Sequence, residues 1–441
     1  MLVQFRLENH RSLRDEQIVS LVASERTGSS LLQVEGLGEA VVPVVSIYGG
    51  NASGKSNVLR GLGFLASAIV NSQRLWDIEG TPHQPFLLSD KARAPSLYEV
   101  DVVVAGVRYR YGFQLSADRV EEEWLFAWPH GRKAMWFERD EDDFTFGKTL
   151  HGENEAIRGF TRSNSLFLSA AAQNNHPALL PLARYFSTWE FVLNRHVGFS
   201  SALLALKFAD GEASGDRDAI LRILREADTG ILDSRVDTPV RDPERRVTDG
   251  QGELFSGDAP RVRRGLPDVF FRHRAADDQH AWLPLSAESA GTMALVGLAP
   301  SVVRSLREGG LLCVDELESS LHPALALRIV GMFNDPKQNP RGAQLMFATH
   351  DTNLLGTLVG EPALRRDQVW FTEKDGDGAT RVYPLTDFHP RKEENLERGY
   401  LQGRYGGVPF LGDLLEPAAP IAEDSEIDAA GSDDADRGKS P

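Results

Sequence analysis

A single cysteine, Cys313, stands in 441 residues, which excludes a disulfide framework and suits a reducing cytoplasm. No stretch reaches the roughly 18 uncharged apolar residues that a membrane span needs. Residues 1–8 alternate like a strand and lack the apolar core of a secretory signal. A soluble, cytoplasmic protein with no membrane partner is therefore expected. There is no internal repeat and no sustained heptad pattern. An excess of positive charge is missing too: 48 Lys and Arg face 64 Asp and Glu, a formal net charge of −16. That argues against a general electrostatic grip on nucleic acid. Part of the charge is local, because from Glu416 onward eight acids stand against Arg437 and Lys439. This stretch is rich in Ala, Pro, Ser and Gly, so a disordered acidic tail is expected over 416–441.

What is present reads as globular. A chain of this length, 41% hydrophobic, suits two or three packed units. Residues 1–47 read as short strands ending in Val41-Val42-Pro43-Val44-Val45-Ser46-Ile47, a β-branched run of the kind found in buried strands. A glycine-rich turn follows, then a helix over about 55–72. Residues 97–146 read as an antiparallel meander with turn residues between its strands. From Ser165 to about Arg235 the period turns helical, as in Leu203-Leu204-Ala205-Leu206 and Ile220-Leu221-Arg222-Ile223-Leu224. Residues 236–268, rich in Arg, Asp, Gly and Pro, read as an exposed excursion, and a β/α pattern is expected to resume over 282–415.

Gly49-Gly50-Asn51-Ala52-Ser53-Gly54-Lys55-Ser56 fits G-x-x-x-x-G-K-[ST] without a gap, and these residues with Asn57, which continues into the helix, are the candidate ATP-binding run. The glycines let successive N–H groups turn inward around a phosphate at the positive end of a helix dipole. Lys55 would reach the β- and γ-phosphates, and the Ser56 hydroxyl would hold Mg²⁺. ATP and Mg²⁺ are the ligands this loop implies.

Leu311-Leu312-Cys313-Val314-Asp315-Glu316 is an apolar strand ending in two carboxylates, the Walker B pattern. The run is apolar because a central parallel strand is buried on both faces. Asp315 is the expected second Mg²⁺ ligand, and Glu316 the base that orients and deprotonates an attacking water. A further strand, Gln344-Leu345-Met346-Phe347-Ala348-Thr349, ends at His350, placed to meet the γ-phosphate or that water. Upstream of both, between the glycine loop and the carboxylate strand, Ser286-Ala287-Glu288-Ser289-Ala290-Gly291-Thr292 opens an apolar helix, a second ready anion site.

Together these motifs resemble the ABC-type ATPase heads of the SMC, RecF and OLD proteins. The resemblance implies an α/β fold in which a parallel P-loop sheet joins an antiparallel β lobe and a helical insertion lobe. It implies a homodimer in which Ser289 and Gly291 of one copy cap the ATP held by the other. It reads Asp315-Glu316-Leu317-Glu318-Ser319-Ser320-Leu321-His322-Pro323 as a fused Walker B and D-loop. It also places Arg11, in the Phe5–Leu13 opening motif, near the nucleotide. A glutamine that senses Mg²⁺ and γ-phosphate usually marks the junction to the helical lobe. Gln173 stands at that junction, and Gln84 is the alternative. The resulting division is 1–165 for the first half of the head with its β lobe, 166–280 for the helical insertion with an Arg-rich loop, 281–415 for the second half, and the tail. More narrowly, Tyr400-Leu401-Gln402-Gly403-Arg404-Tyr405-Gly406-Gly407-Val408-Pro409-Phe410 resembles the stand-alone RloA-like ATPases of antiphage-defence and restriction-linked loci. Those commonly act with a separately encoded effector.

Three functions compete at this stage. The first is a nucleotide-gated switch over a separate effector, and the second a RecF-like ATPase that clamps DNA. The third is an enzyme with a second active site within 166–280. For DNA the candidate is Arg235, Arg241, Arg245, Arg246, Arg261, Arg263, Arg264, Arg272 and Arg274, but seven acids between 235 and 274 offset these nine arginines. For a second enzyme there is neither zinc spacing nor a nucleophile motif, and His273 and His280 have no companion ligand.

Overall fold

The computed structural model describes residues 1–25, 28–193, 214–237, 268–275, 280–356, 362–391 and 393–408. From the amino terminus, β1 (Leu2–Glu8) and β2 (Gln17–Ser20) form a hairpin, and β3 (Leu32–Gln33) and β4 (Ala40–Val41) a short pair. Next comes β5 (Val44–Gly49), which leads into α1 (Lys55–Leu75). Pro43, which cannot donate to a ladder, falls in the gap between β4 and β5. The meander comprises β6 (Ser96–Val104), β7 (Val107–Leu115), β8 (Val120–Trp128), β9 (Ala134–Asp140) and β10 (Asp143–Phe146). Helices α2 (Asn154–Phe160), α3 (Phe167–Gln173) and α4 (Leu180–Ser187) precede β11 (Glu190–Val192). Then come α5 (Ser214–Glu226), β12 (Ile231–Asp237), β13 (Asp268–Arg274) and β14 (His280–Pro284). The chain continues through α6 (Ala290–Glu308), β15 (Leu311–Val314), α7 (Pro323–Asn334) and β16 (Gln344–Ala348). It closes with β17 (Val369–Lys374), β18 (Thr380–Pro384) and α8 (Leu396–Leu401).

The fold is α/β, with two large sheets. One is antiparallel with seven strands in the order β10-β9-β8-β7-β6-β1-β2. The other has six strands in the order β11-β15-β16-β5-β17-β18, parallel up to β17 and antiparallel at β18. Strand periodicity explains why the central runs are apolar throughout. Val45, Ile47, Leu311, Cys313, Met346 and Ala348 join one core with Val58, Leu59 and Leu62 of α1 and the inner face of the antiparallel sheet. Their neighbours Val44, Tyr48, Leu312, Val314, Leu345 and Phe347 join a second core with α6, α7 and Tyr400 of α8. At about 1.5–3 kcal/mol per buried aliphatic side chain, both faces hold these strands in place.

Two buried polar groups join the layers. The Gln344 amide accepts from Leu2 N at 2.7 Å and donates to Leu2 O at 2.8 Å, stitching β1 to β16. Glu123 of β8 accepts from the amides of Phe167 and Leu168 at 2.6 and 3.0 Å, capping the start of α3 with a carboxylate, and from Tyr111 Oη at 2.8 Å. Burial pushes that carboxyl up, while Arg139, 3.7 Å away, and the bonds it accepts pull it down.

The described part of 166–280 departs from a helical lobe. It does contain α3, α4 and α5, the last carrying the expected Ile220–Leu224 run, but β11 extends the parallel sheet and β12–β14 form a three-stranded antiparallel sheet. The reason lies in the side chains, since Val269 and Phe271 alternate inward on β13, a period of two that a helix would scatter. Leu203-Leu204-Ala205-Leu206, the arginines at 241, 245, 246, 261, 263 and 264, and the acidic tail lie outside the described residues.

Candidate functional site

The glycine loop lies between β5 and α1 at the carboxyl edge of the parallel sheet, the edge where open α/β sheets bind ligands. Gly54 has φ 108° and caps α1, and a Cβ there would lie 2.1 Å from Thr380 Oγ1. The same threonine donates to Ser53 O at 2.8 Å and meets Ser12 Oγ at 2.8 Å, and Ser12 Oγ accepts from Asn57 Nδ2 at 2.7 Å. Thr372 of β17 meets Ser53 Oγ at 2.6 Å. The loop is therefore backed by β17, β18 and the β1–β2 turn. Asn57 faces that turn, so its amide orders the loop rather than the loop's mouth.

Lys55 is buried, and its three donors meet Gly49 O at 3.0 Å, Gly50 O at 3.1 Å and His350 Nε2 at 2.8 Å. Accepting from an ammonium requires a neutral imidazole. Desolvation first, then the Lys55 charge, lowers the His350 pKa. Burial lowers that of Lys55 too, against the pull of Asp315, Glu318 and Glu316. Ser56 Oγ donates to Asp315 Oδ1 at 2.9 Å, and burial raises the Asp315 carboxyl above its usual range. Adjacent oxygens on an octahedral Mg²⁺ lie about 3 Å apart at the usual 2.0–2.1 Å bond length, so this pair fits the ion. Glu316 is half-buried with φ 52°, a left-handed conformation that costs a non-glycine residue about 1–3 kcal/mol.

Arg11 also has a left-handed backbone, φ 52°, and lies beside Ser12. Its Nε donates to Gln84 Oε1 at 2.7 Å and its amide to Gln84 O at 2.8 Å. Burial and the charge of Arg60 on α1 lower the Arg11 pKa. Gln84 is thus held by Arg11, next to the Ser12 that meets Asn57 and Thr380. Gln173 is a correction. It is exposed at the end of α3, and α3 docks where Ser72 Oγ accepts from Leu166 N and Ser169 Oγ from Gln73 N. Seventeen residues of helix separate Ser56 from Gln73, about 25 Å at 1.5 Å per residue.

Ser289 caps α6, its Oγ accepting from Thr292 N at 3.1 Å, and is exposed. Gly291 faces the turn after β15, where a Cβ would come 2.9 Å from Ser320 O. Just before them Glu288 Oε1 lies 2.7 Å from His273 Nε2, which gives His273 a place anchoring this turn. Of the arginine cluster, Arg235 lies over the rings of Phe270 and Trp282 and pairs with Asp237, and Arg272 pairs with Asp233. These two cations are engaged by the protein. Thr372 and Thr380 went unnoticed in the sequence, because only the sheet order brings them to the loop, and Glu318, read only as part of the Asp315–Pro323 stretch, meets Thr349 and His350.

Loop, carboxylate strand and sheet order define a P-loop α/β domain. The family model described as "AAA domain, putative AbiEii toxin, Type IV TA system" matches residues 44–356, well over half of the chain, and the chain belongs to that family. No curated protein is found to match it. Three solved structures are similar at low identity. The SmcHead bound to the C-winged helix domain of ScpA shows 12% identity at a TM-score of 0.41, covering 87% of this chain and 96% of that one. The SMC head domain from Thermotoga maritima shows 13% at 0.38, covering 87% and 98%. The Smc head domain with an extended coiled coil, bound to the C-terminal domain of ScpA derived from Pyrococcus furiosus, shows 13% at 0.35, covering 92% and 98%. Likeness at this distance says nothing of what this chain binds.

Proposed function

We propose that the chain hydrolyses Mg²⁺-ATP as a nucleotide-sandwiched dimer and works as a switch over a separately encoded effector, like the stand-alone ATPases of antiphage-defence loci. The observation that supports this is convergence: Lys55 meets His350 at 2.8 Å and its neighbour Ser56 meets Asp315 at 2.9 Å, each pair far apart in sequence. Lys55 exchanges its protein acceptors for phosphate oxygens. Ser56 and Asp315 would hold Mg²⁺, which would supply neutralisation of charge on the phosphates. Glu316 orients a water and takes its proton. His350, neutral, steadies that water or the γ-phosphate. Arg11 and Gln84 border the loop. Ser289 and Gly291 offer an exposed helix start to the partner copy's phosphate.

Glu316→Gln is the test. The amide keeps hydrogen-bonding geometry but cannot take a proton, so hydrolysis falls by about 10²–10⁴ while ATP binding survives. Mass in solution then shifts to a dimer with Mg²⁺-ATP and not with ADP, and adding Ser289→Arg reverses the shift. A variant that stays monomeric with ATP would sink the sandwich and leave the nucleotide site standing.

The family description favours a second reading, in which the chain is itself the toxic component of a two-gene system. Expression alone decides between them. A harmless chain that forms a complex with its genomic neighbour supports the switch. Growth arrest that Lys55→Ala relieves supports the toxin.

A further inference from the structure

The turn after β15 carries a third carboxylate, which the site above leaves without a task. Glu318 Oε2 accepts from Thr349 Oγ1 at 2.6 Å, and Oε1 accepts from His350 N at 2.7 Å. One carboxylate therefore fixes two consecutive residues at the end of β16. The turn is itself held at its start, by Asp315 N on Val192 O at 3.0 Å and Leu317 N on Ala348 O at 3.2 Å, and on either side of Ser320, by Ser319 N on Glu316 O at 2.8 Å and Leu321 N on Glu318 O at 2.9 Å. Two of its residues, Glu316 and Ser320, have left-handed backbones, with φ of 52° and 62°. It has little slack, so motion at Ser320 passes along the turn instead of being absorbed. Ser320 is also the residue whose carbonyl faces Gly291 at the exposed start of α6.

We propose that Glu318 is a positioning residue that sets His350, and through it the Lys55 ammonium 2.8 Å away, and so carries contact at the Ser289–Gly291 turn to the phosphate site. This rests on the ATPase reading above. The geometry needs two acceptor positions, which any planar group of this length supplies in part. Glutamine keeps an oxygen for His350 N and turns an amide toward Thr349 Oγ1, and alanine keeps neither.

The test uses the full-length protein with Mg²⁺-ATP, comparing wild type, Glu318→Ala, Glu318→Gln and Thr349→Val. Steady-state kcat and KM are read beside equilibrium binding of a non-hydrolysable ATP analogue. A misplacement of about 1 Å at a reacting centre can cost on the order of 100-fold. Glu318→Ala is therefore expected to lower kcat by about 10- to 100-fold with analogue affinity within about threefold of wild type. Glu318→Gln is expected to recover most of the loss. Thr349→Val, which removes one of the two bonds at nearly constant volume, falls between them and keeps the proposal testable should alanine unfold the turn. Glutamine as slow as alanine would overturn positioning and assign the charge itself a role. An unchanged kcat in alanine, or equal losses of kcat and affinity, would overturn it as well. Wild-type protein that fails to bind the analogue would instead remove the ATPase reading beneath it.

Discussion

His10 shows what burial does to a single ring. It is 1% exposed, its Nδ1 lies 2.8 Å from Tyr98 Oη, and its Nε2 has no partner among the described residues. Burial first, then the charges of Arg11, His83 and Arg60, hold its pKa at about 3. An unfolded histidine takes up its proton near 6.5, so between these values the unfolded chain binds more protons and stability falls as pH falls. The slope is about 1.4 kcal/mol per pH unit for one full proton. His10→Asn removes that contribution. In urea melts from pH 7 to pH 5 the variant is expected to gain on the wild type as the pH drops, and a constant gap would mean that His10 titrates in the fold as it does in the unfolded chain. Lys55→Ala is expected to abolish ATP binding, measured at equilibrium with a labelled analogue, because no other described lysine stands in the loop. Residue by residue, the sequence exposed Lys55, Ser56 and Asp315 because their spacing is a chemical requirement. It misplaced Gln173, because a position along the chain carries no distance, and α3 turns out to pack at the far end of α1.

At the scale of elements, apolar runs were legible wherever a strand is buried on both faces, as in β5, β15 and β16. Strands β11, β12 and β13 escaped notice, because β11 has only three residues and the apolar residues of β12 and β13 are interrupted by Arg and Asp, a pattern that looks like loop or helix until a partner strand is present. Glycine positions were read as a phosphate cradle, and the structure adds what stands behind them, Thr372 and Thr380. The stitch between the two large sheets was invisible, since nothing marks Gln344 as different from any other polar residue at the start of a strand. Gln344→Ala leaves the buried Leu2 amide and carbonyl without their partners, at about 1–3 kcal/mol for an unsatisfied group. A fall in Tm of several degrees is expected, with affinity for an ATP analogue close to wild type. A variant as stable as the wild type would show that β1 is held on β16 by packing alone.

Across the whole molecule, the phosphate loop, Asp315, His350 and the Ser289 turn all follow or flank the carboxyl ends of the parallel strands, while α1 and α6 contribute to different cores. Closure of two copies along that edge is expected to appear in small-angle scattering as an ATP-specific compaction of Glu316→Gln, even if the protein is already dimeric through other surfaces. An equal response to ADP would argue against nucleotide-gated closure. The division into two cores also bears on how substitutions combine. Leu312 and Cys313 are neighbours in sequence, yet their side chains enter different cores, whereas Leu312 and its register partner Leu345 share one. The stability losses of Leu312→Ala and Cys313→Ala are therefore expected to add within about 0.5 kcal/mol, and those of Leu312→Ala and Leu345→Ala to depart from additivity by more. Along these strands, epistasis follows the alternation of the pleat, so residues adjacent in the gene can vary independently while distant ones constrain each other.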